Sequence, residues 1–211
     1  DGGGQLVRTA LTLSVLDGRA FRMENVRGDR PNPGLKRQHL ACVDLLAAVA
    51  DADVSGAEVG AETLAFEPGG DGLGDASTLP EEVAIDVGTA GSVTLVADTL
   101  LPLAARVDAP VRARLTGGTD VKWSPPADYL RHVKLPLLGE CGLDAAVDVN
   151  RRGFYPAGGG ELLVEVHPST LSPVVLPARG DRAVPDWTVR AVAAEALEDA
   201  EVADRMAESA A

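Results

Sequence analysis

The feature that most constrains this chain is a repeat. From residue 83 the pattern reads as a strand (83–87), a helix (88–103), a strand (111–115), a glycine-rich turn (116–120), a helix (127–141) and two strands near 145–149 and 162–166. The opening stretch follows the same order, with a helix (2–18), a strand (20–26), a glycine- and proline-rich turn, a helix (35–50) and short strands near 57–59 and 63–67. Gly28-Asp29-x-Pro in one half stands where Gly117 to Pro126 stands in the other, each just before an amphipathic helix. A supersecondary unit repeated at roughly 90 residues leaves few architectures open. The expectation is an α+β fold made of repeated units, two helices packed on a four-stranded sheet in each.

The helical stripes support that layering. Leu6, Ala10, Leu13 and Leu16 share a face of the first helix, and Leu40, Val43, Leu46, Ala47 and Ala50 form the buried stripe of the second. Beyond Pro168 the texture changes, becoming proline-dotted to Pro185 and then an alanine-rich, acidic helix over 189–211, with Val192, Leu197 and Val202 on its apolar side. We expect two domains: a repeat domain over 1–168, with repeats at roughly 1–70 and 81–168, and the incomplete start of an inserted domain over 169–211.

Charge points to a site. The chain carries 19 basic and 32 acidic residues, a formal charge of −13, and residues 51–86 hold ten acidic residues and no basic one. Such an acidic, lysine-poor composition suits a halophilic setting, where 1 M salt shortens the Debye length to about 3 Å. Against that background, residues 19–39 carry six basic and two acidic side chains. The turn within them, R-G-D-R-P-N-P-G-L-K-R-Q-H-L from Arg27, is stiffened by Pro31 and Pro33 and aims several cations from one place. Arginine forks match phosphate oxygens two at a time. A solvated charged turn is the competing reading of the same spacing.

Other chemistries find less support. Cys42 and Cys141 lie far apart in helical patterns, the three histidines form no zinc-type pair, and a reduced, cytoplasmic protein is expected. No apolar run approaches the roughly 18–20 residues of a membrane span, so no membrane partner is expected. Gly2-Gly3-Gly4 and Gly158-Gly159-Gly160 could cradle phosphate or simply make tight turns.

Six stretches taken in order carry a resemblance. These are G-G-G-Q-L-V-R-T-A-L from Gly2, the Arg27 turn, G-T-A-G-S-V-T-L from Gly88, G-G-T-D from Gly117, P-P-A-D-Y from Pro125 and R-R-G-F-Y-P-A-G-G-G-E from Arg151. Over about residues 1–168 the chain resembles the RNA 3′-terminal phosphate cyclase family. The resemblance implies repeated units of two helices on a four-stranded sheet plus a smaller inserted domain. It implies ATP and a divalent metal, Mg2+ or Mn2+, as cofactors, and RNA 3′-phosphate ends as partners. The implied reaction adenylylates an enzyme histidine, passes AMP to the RNA 3′-phosphate, and closes a 2′,3′-cyclic phosphate as the 2′-hydroxyl displaces AMP.

By the same motif matches, Arg8, Arg27, Arg30 and Gln38 would lie near the nucleotide and RNA phosphates, and Pro125 and Pro126 would flank adenine. Arg37, Arg151 and Arg152 are candidate RNA contacts, although Arg151 and Arg152 could equally solvate a strand end. Asp1 stands where the family usually has glutamate and is a candidate metal ligand. Asp98 stands where a glutamine usually touches ATP, and it would repel a triphosphate unless a metal bridged the two. His39, His132 and His167 do not match the family's nucleophilic histidine, which belongs to its C-terminal part, so they are read as packing or hydrogen-bonding residues. This chain is therefore expected to be an incomplete, inactive part of the enzyme. Two alternatives stand beside the cyclase reading: a non-catalytic cyclase-like factor of ribosomal RNA processing, and, more remotely, an enolpyruvyl-transferase-like enzyme with arginine-lined anion sites.

Overall fold

A computed structural model describes residues 3–70, 72–73, 80–174 and 188–210. Asp1 lies outside them, as does most of the proline-dotted stretch. The chain divides into two units, Asp1–Pro173 and Val174–Ala211.

The first unit begins with α1 (Gly4–Asp17), closed by Gly18 in the left-handed conformation that a Cβ disfavours. β1 (Phe21–Met23) leads through the arginine turn into α2 (Arg37–Ala50), and β2 (Asp53–Ser55) and β3 (Leu64–Glu67) follow. These strands form an antiparallel sheet in the order β1-β3-β2, held on one side by the stacked rings of Phe21 and Phe66. The second half runs β4 (Val83–Asp86), α3 (Val93–Leu100), β5 (Val111–Gly117), α4 (Ala127–Tyr129), α5 (Leu135–Gly139), β6 (Ala145–Arg151) and β7 (Gly160–Val166). Its sheet has the order β4-β5-β7-β6, with β4 parallel to β5 and the other pairs antiparallel. The fold is α+β. In element order, α1-β1-α2-β2-β3 parallels α3-β5-α4/α5-β6-β7, and the arginine turn occupies the place of the turn after β5.

Several expectations need correction. The first sheet has three strands among the described residues, with no counterpart of β4. Its second strand is at 53–55, not 57–59, because Asp51 turns left-handed at the end of α2 and the chain pairs at once, while Gly56 and Gly60 take positive φ beyond it. Residues 88–92 are a loop and not helix: Gly88 has φ +67°, and Ser92 caps α3 by accepting from the Leu95 amide at 3.3 Å.

The helix expected over 127–141 is interrupted by a π-helical stretch at Leu130–Lys134. Pro136 follows directly; it lacks an amide donor and its ring crowds the preceding turn. This helix also differs from its repeat partner in burial. Val43 and Leu46 are buried beneath α1, α3 and β4, whereas Val133 and Leu137 are exposed.

Leu11, Leu35, Leu45, Leu46, Leu64, Phe66, Leu100, Leu115 and Leu162 are fully buried in one continuous core that spans both repeats. That core fixes α1, α2 and α3 against one another. Past residue 168, Ser169 and Ser172 still tie back: their amides donate to Ala104 O at 2.7 Å and Cys141 O at 2.8 Å.

The second unit holds a 3-10 segment, Glu195–Ala200, and α6 (Val202–Ala210), in place of one continuous helix. Extended Ala194 and left-handed Glu201 break the periodicity. No helix among the described residues is long and apolar enough to cross a membrane.

Candidate functional site

Three helices begin at one place. The first turn of α1 (Gly4, Gln5), the first turn of α2 (Gln38, His39) and the loop entering α3 (Ala90, Gly91, Ser92) line a cavity of about 760 Å3. Helix N-termini carry a partial positive charge, which favours anions, although at α3 the Ser92, Val93 and Leu95 amides already donate to Gln38 Oε1, Gly118 O and Ser92 Oγ. Arg8, from the second turn of α1, and Arg27 and Arg30, from the rigid turn, complete one side. Val121, Lys122, Trp123 and Ser124, from the turn after β5, and Tyr155 form the other. Among the described residues the lining contains three arginines and a lysine and no carboxylate. Five other arginines, Arg22, Arg112, Arg114, Arg131 and Arg152, are salt-bridged, whereas no ion pair among the described residues holds Arg8, Arg27 or Arg30.

Arg27, Gln38 and His39 are held by their neighbours. One Nη of Arg27 donates to the carbonyls of Asn32 at 2.9 Å and Gly34 at 2.7 Å, so this arginine folds the turn that presents Arg30. Gln38 Oε1 accepts from the Ser92 amide at 3.1 Å, which directs its amide group and ties the repeats together. His39 is 7% exposed, and its Nδ1 accepts from the Lys36 amide at 3.0 Å. A Cβ at Gly4 would collide with His39 Nε2, so glycine is needed for the imidazole to lie against α1.

Burial, and then Arg27, Arg8 and Lys36, lower the His39 pKa to about 4. The ring is neutral, and with Nδ1 accepting, the proton sits on Nε2 as a donor. It has no lone pair left for attack. His132 lies near Asp128, and His167 lies 3.2 Å from Glu165 at the end of β7; neither lines the cavity.

The remaining predicted residues lie elsewhere. Asp98 is bonded to Lys134 Nζ at 2.7 Å, in a neighbouring groove that shares only Gln5 and Arg8 with the cavity. Lys134 supplies the compensating cation that sequence reasoning sought in a metal. Pro125 accepts from Thr94 Oγ1 at 2.8 Å, and Pro126 caps α4; both directly follow Ser124 without lining the cavity.

Arg37 reaches Gly88, and Arg151 donates to Gly159 O at 2.6 Å, both outside the lining. Arg152 is engaged by both carboxylate oxygens of Asp120 and of Asp128, so its fork staples the turn after β5 to the segment after β6. Gly158 packs on the backbone of Ala90, and Gly158 and Gly159 take positive φ, which accounts for that glycine triplet by close approach.

Sequence reasoning missed Lys122, Trp123 and Tyr155 as lining residues, together with the entry to α3. Ser92 four residues after Gly88 was the available signal for a helix cap.

Comparison with known proteins decides the family. The model of RNA 3′-terminal phosphate cyclase matches residues 1–209. The chain belongs to the RNA 3′-terminal phosphate cyclase family. It is 53% identical to an RNA 3′-terminal phosphate cyclase of Halobacterium salinarum, with 100% of this chain and 62% of that relative aligned. A cyclase of Hyperthermus butylicus is 46% identical over 85% of this chain and 49% of its own length. One of Saccharolobus islandicus is 47% identical over 78% of this chain and 47% of its own length. The chain thus spans between about half and two thirds of these cyclases.

Among the described residues no three metal-ligating side chains cluster, and none that lines the cavity is a carboxylate. Arginine, lysine and glutamine donors of this kind suit phosphate oxygens; Asp1, the candidate metal ligand, lies outside the described residues.

Proposed function

We propose that this chain supplies the phosphate-binding part of an ATP-dependent enzyme that converts an RNA 3′-phosphate to a 2′,3′-cyclic phosphate. The observation that carries the reading is the convergence of three arginines, Gln38 and three helix N-termini on one cavity. Phosphoryl transfer asks a protein chiefly to position the groups and neutralise charge.

In this reading Arg30 and Arg8 grip phosphate oxygens, and Arg27 divides its guanidinium between the turn and the ligand. The Gln38 amide and His39 Nε2–H each add one neutral donor. Held by these groups, the terminal phosphorus is attacked by the adjacent 2′-hydroxyl oxygen; a ring O–P bond forms as the bond to AMP breaks, and AMP leaves. ATP supplies the activation, through enzyme-AMP and RNA-adenylate stages. A divalent ion would come with the nucleotide and would neutralise phosphate charge. Pro125 and Pro126 flank adenine in this reading.

The buried free thiols of Cys42 and Cys141 favour a reducing, cytoplasmic setting, and the acidic surface favours high salt. The family assignment sets the enolpyruvyl-transferase reading aside, and the three arginines gathered on one cavity favour catalysis over a purely structural factor.

The test is to incubate the complete protein with ATP and a 3′-phosphorylated oligoribonucleotide and follow the RNA end. The expected product resists phosphatase and opens to a 2′- or 3′-phosphate in mild acid. An end that stays phosphatase-sensitive in the presence of ATP would sink the proposal.

A further inference from the structure

The chain holds two Trp, two Tyr and three Phe, and two of these side chains stand at the mouth of the arginine cavity in open solvent. Trp123 is 88% exposed and Tyr155 is 76% exposed. Leaving an indole in water forfeits the favourable burial that places most aromatic rings inside. Trp123 has a second cost. Its φ is +71°, in the left-handed region where a bulky residue is an outlier, and such strain concentrates at working sites.

The two rings stand on loops built as one piece. The Thr119 amide donates to Gly153 O at 2.9 Å, and the Gly153 amide returns a bond to Thr119 Oγ1 at 2.9 Å. Arg152 crosses the same junction to Asp120 and Asp128. Trp123 is therefore displayed from a rigid base. Lys122 Nζ stands 4.9 Å from the indole centroid, so one face meets a cation and the exposure leaves the other to solvent.

An open aromatic face beside phosphate-binding arginines is the combination that single-stranded nucleic acid recognises: the backbone meets cations and a base stacks on the ring. We propose that Trp123, with Tyr155 on the adjoining loop, is a stacking platform for the nucleobase at the RNA end whose phosphate the arginines hold. This rests on the functional reading above. The position favours an RNA base over the base of ATP, because a polynucleotide must run out of the cavity into solvent across this rim, whereas a free nucleotide can be enclosed.

The experiment measures binding of three ligands to the complete protein: a single-stranded oligoribonucleotide with a 3′-phosphate, the same oligonucleotide with an abasic terminal ribose 3′-phosphate, and ATP. Trp123→Ala should weaken the intact oligonucleotide about tenfold, as loss of one stacked base does. It should leave the abasic oligonucleotide and ATP unchanged, and Trp123→Phe should recover most of the loss. Equal weakening of the intact and abasic oligonucleotides would make Trp123 structural. Weakening of ATP alone would assign the ring to adenine. Either result overturns the proposal. If the wild-type protein still prefers a 3′-phosphate to a 3′-hydroxyl while these results fail, only the platform is lost; if that preference is absent, the functional reading falls with it.

Discussion

The side-chain carbonyl of Gln38, in the first turn of α2, accepts a hydrogen bond of 3.1 Å from the backbone amide of Ser92, which caps α3. The two residues belong to different repeats, so this bond sets how the helix starts of the two repeats face a common cavity. Gln38→Ala should leave the Ser92 amide without this partner and cost about 1–2 kcal/mol in urea unfolding. Gln38→Glu keeps the acceptor but introduces a negative charge. It should retain most of the stability while weakening 3′-phosphate binding at least tenfold. Equal behaviour of the two variants in both measurements would remove the distinction drawn between positioning and binding.

Arg27 and Arg30 should separate in the same two assays. Arg27 holds two loop carbonyls, so Arg27→Ala should lower stability by about 1–3 kcal/mol and also weaken phosphate binding. Arg30→Ala should spare stability and lose binding. Lysine at position 30 should recover only part, since a point charge lacks the two-pronged contact. Full recovery would reduce the turn to a source of general charge.

His39 predicts a pH dependence with a definite sign. Its folded pKa, about 4, lies below its usual 6.5, so between those values the unfolded chain binds a proton that the folded chain does not. The stability associated with the neutral ring is complete above about pH 6.5 and is lost as pH falls toward 4, a total of roughly 3 kcal/mol at most. Urea midpoints taken from pH 7 to pH 4.5 should fall less steeply in His39→Gln, which cannot take up that proton. A parallel fall in both proteins would place the acid sensitivity elsewhere.

Much of this was legible in the sequence because repeats and turn chemistry are local. The arginine turn, the stripe of α2 and the order of elements after β4 follow from periodicity and from glycine and proline positions. What was hidden depends on contacts distant in sequence. Lys134 neutralises Asp98 across 36 residues, and Arg152 closes on Asp120 across 32, so neither charge could be assigned from its own neighbourhood. The exposure of Val133 was hidden for the same reason: its helix has the same apolar pattern as α2 but not the same neighbours.

The histidines lead to a further expectation. His39 has its Nδ1 lone pair engaged and its other nitrogen protonated, and His132 and His167 lie off the cavity. Incubating the 211-residue chain with ATP labelled at the α-phosphate should therefore leave no acid-labile label on the protein. Label that disappears on changing one of these three histidines would contradict the assignment.

The central claim is that the arginines of the cavity hold a terminal phosphate. It is tested most directly by the affinity of the complete protein for two oligoribonucleotides that differ only in carrying a 3′-phosphate or a 3′-hydroxyl. The wild-type protein should favour the phosphate by about tenfold or more, as one charge-assisted contact of about 1.5–3 kcal/mol implies. In Arg30→Ala that preference should fall close to unity with the urea midpoint unchanged. Equal affinities in the wild type, or a preference that survives both Arg30→Ala and Arg8→Ala, would contradict the account.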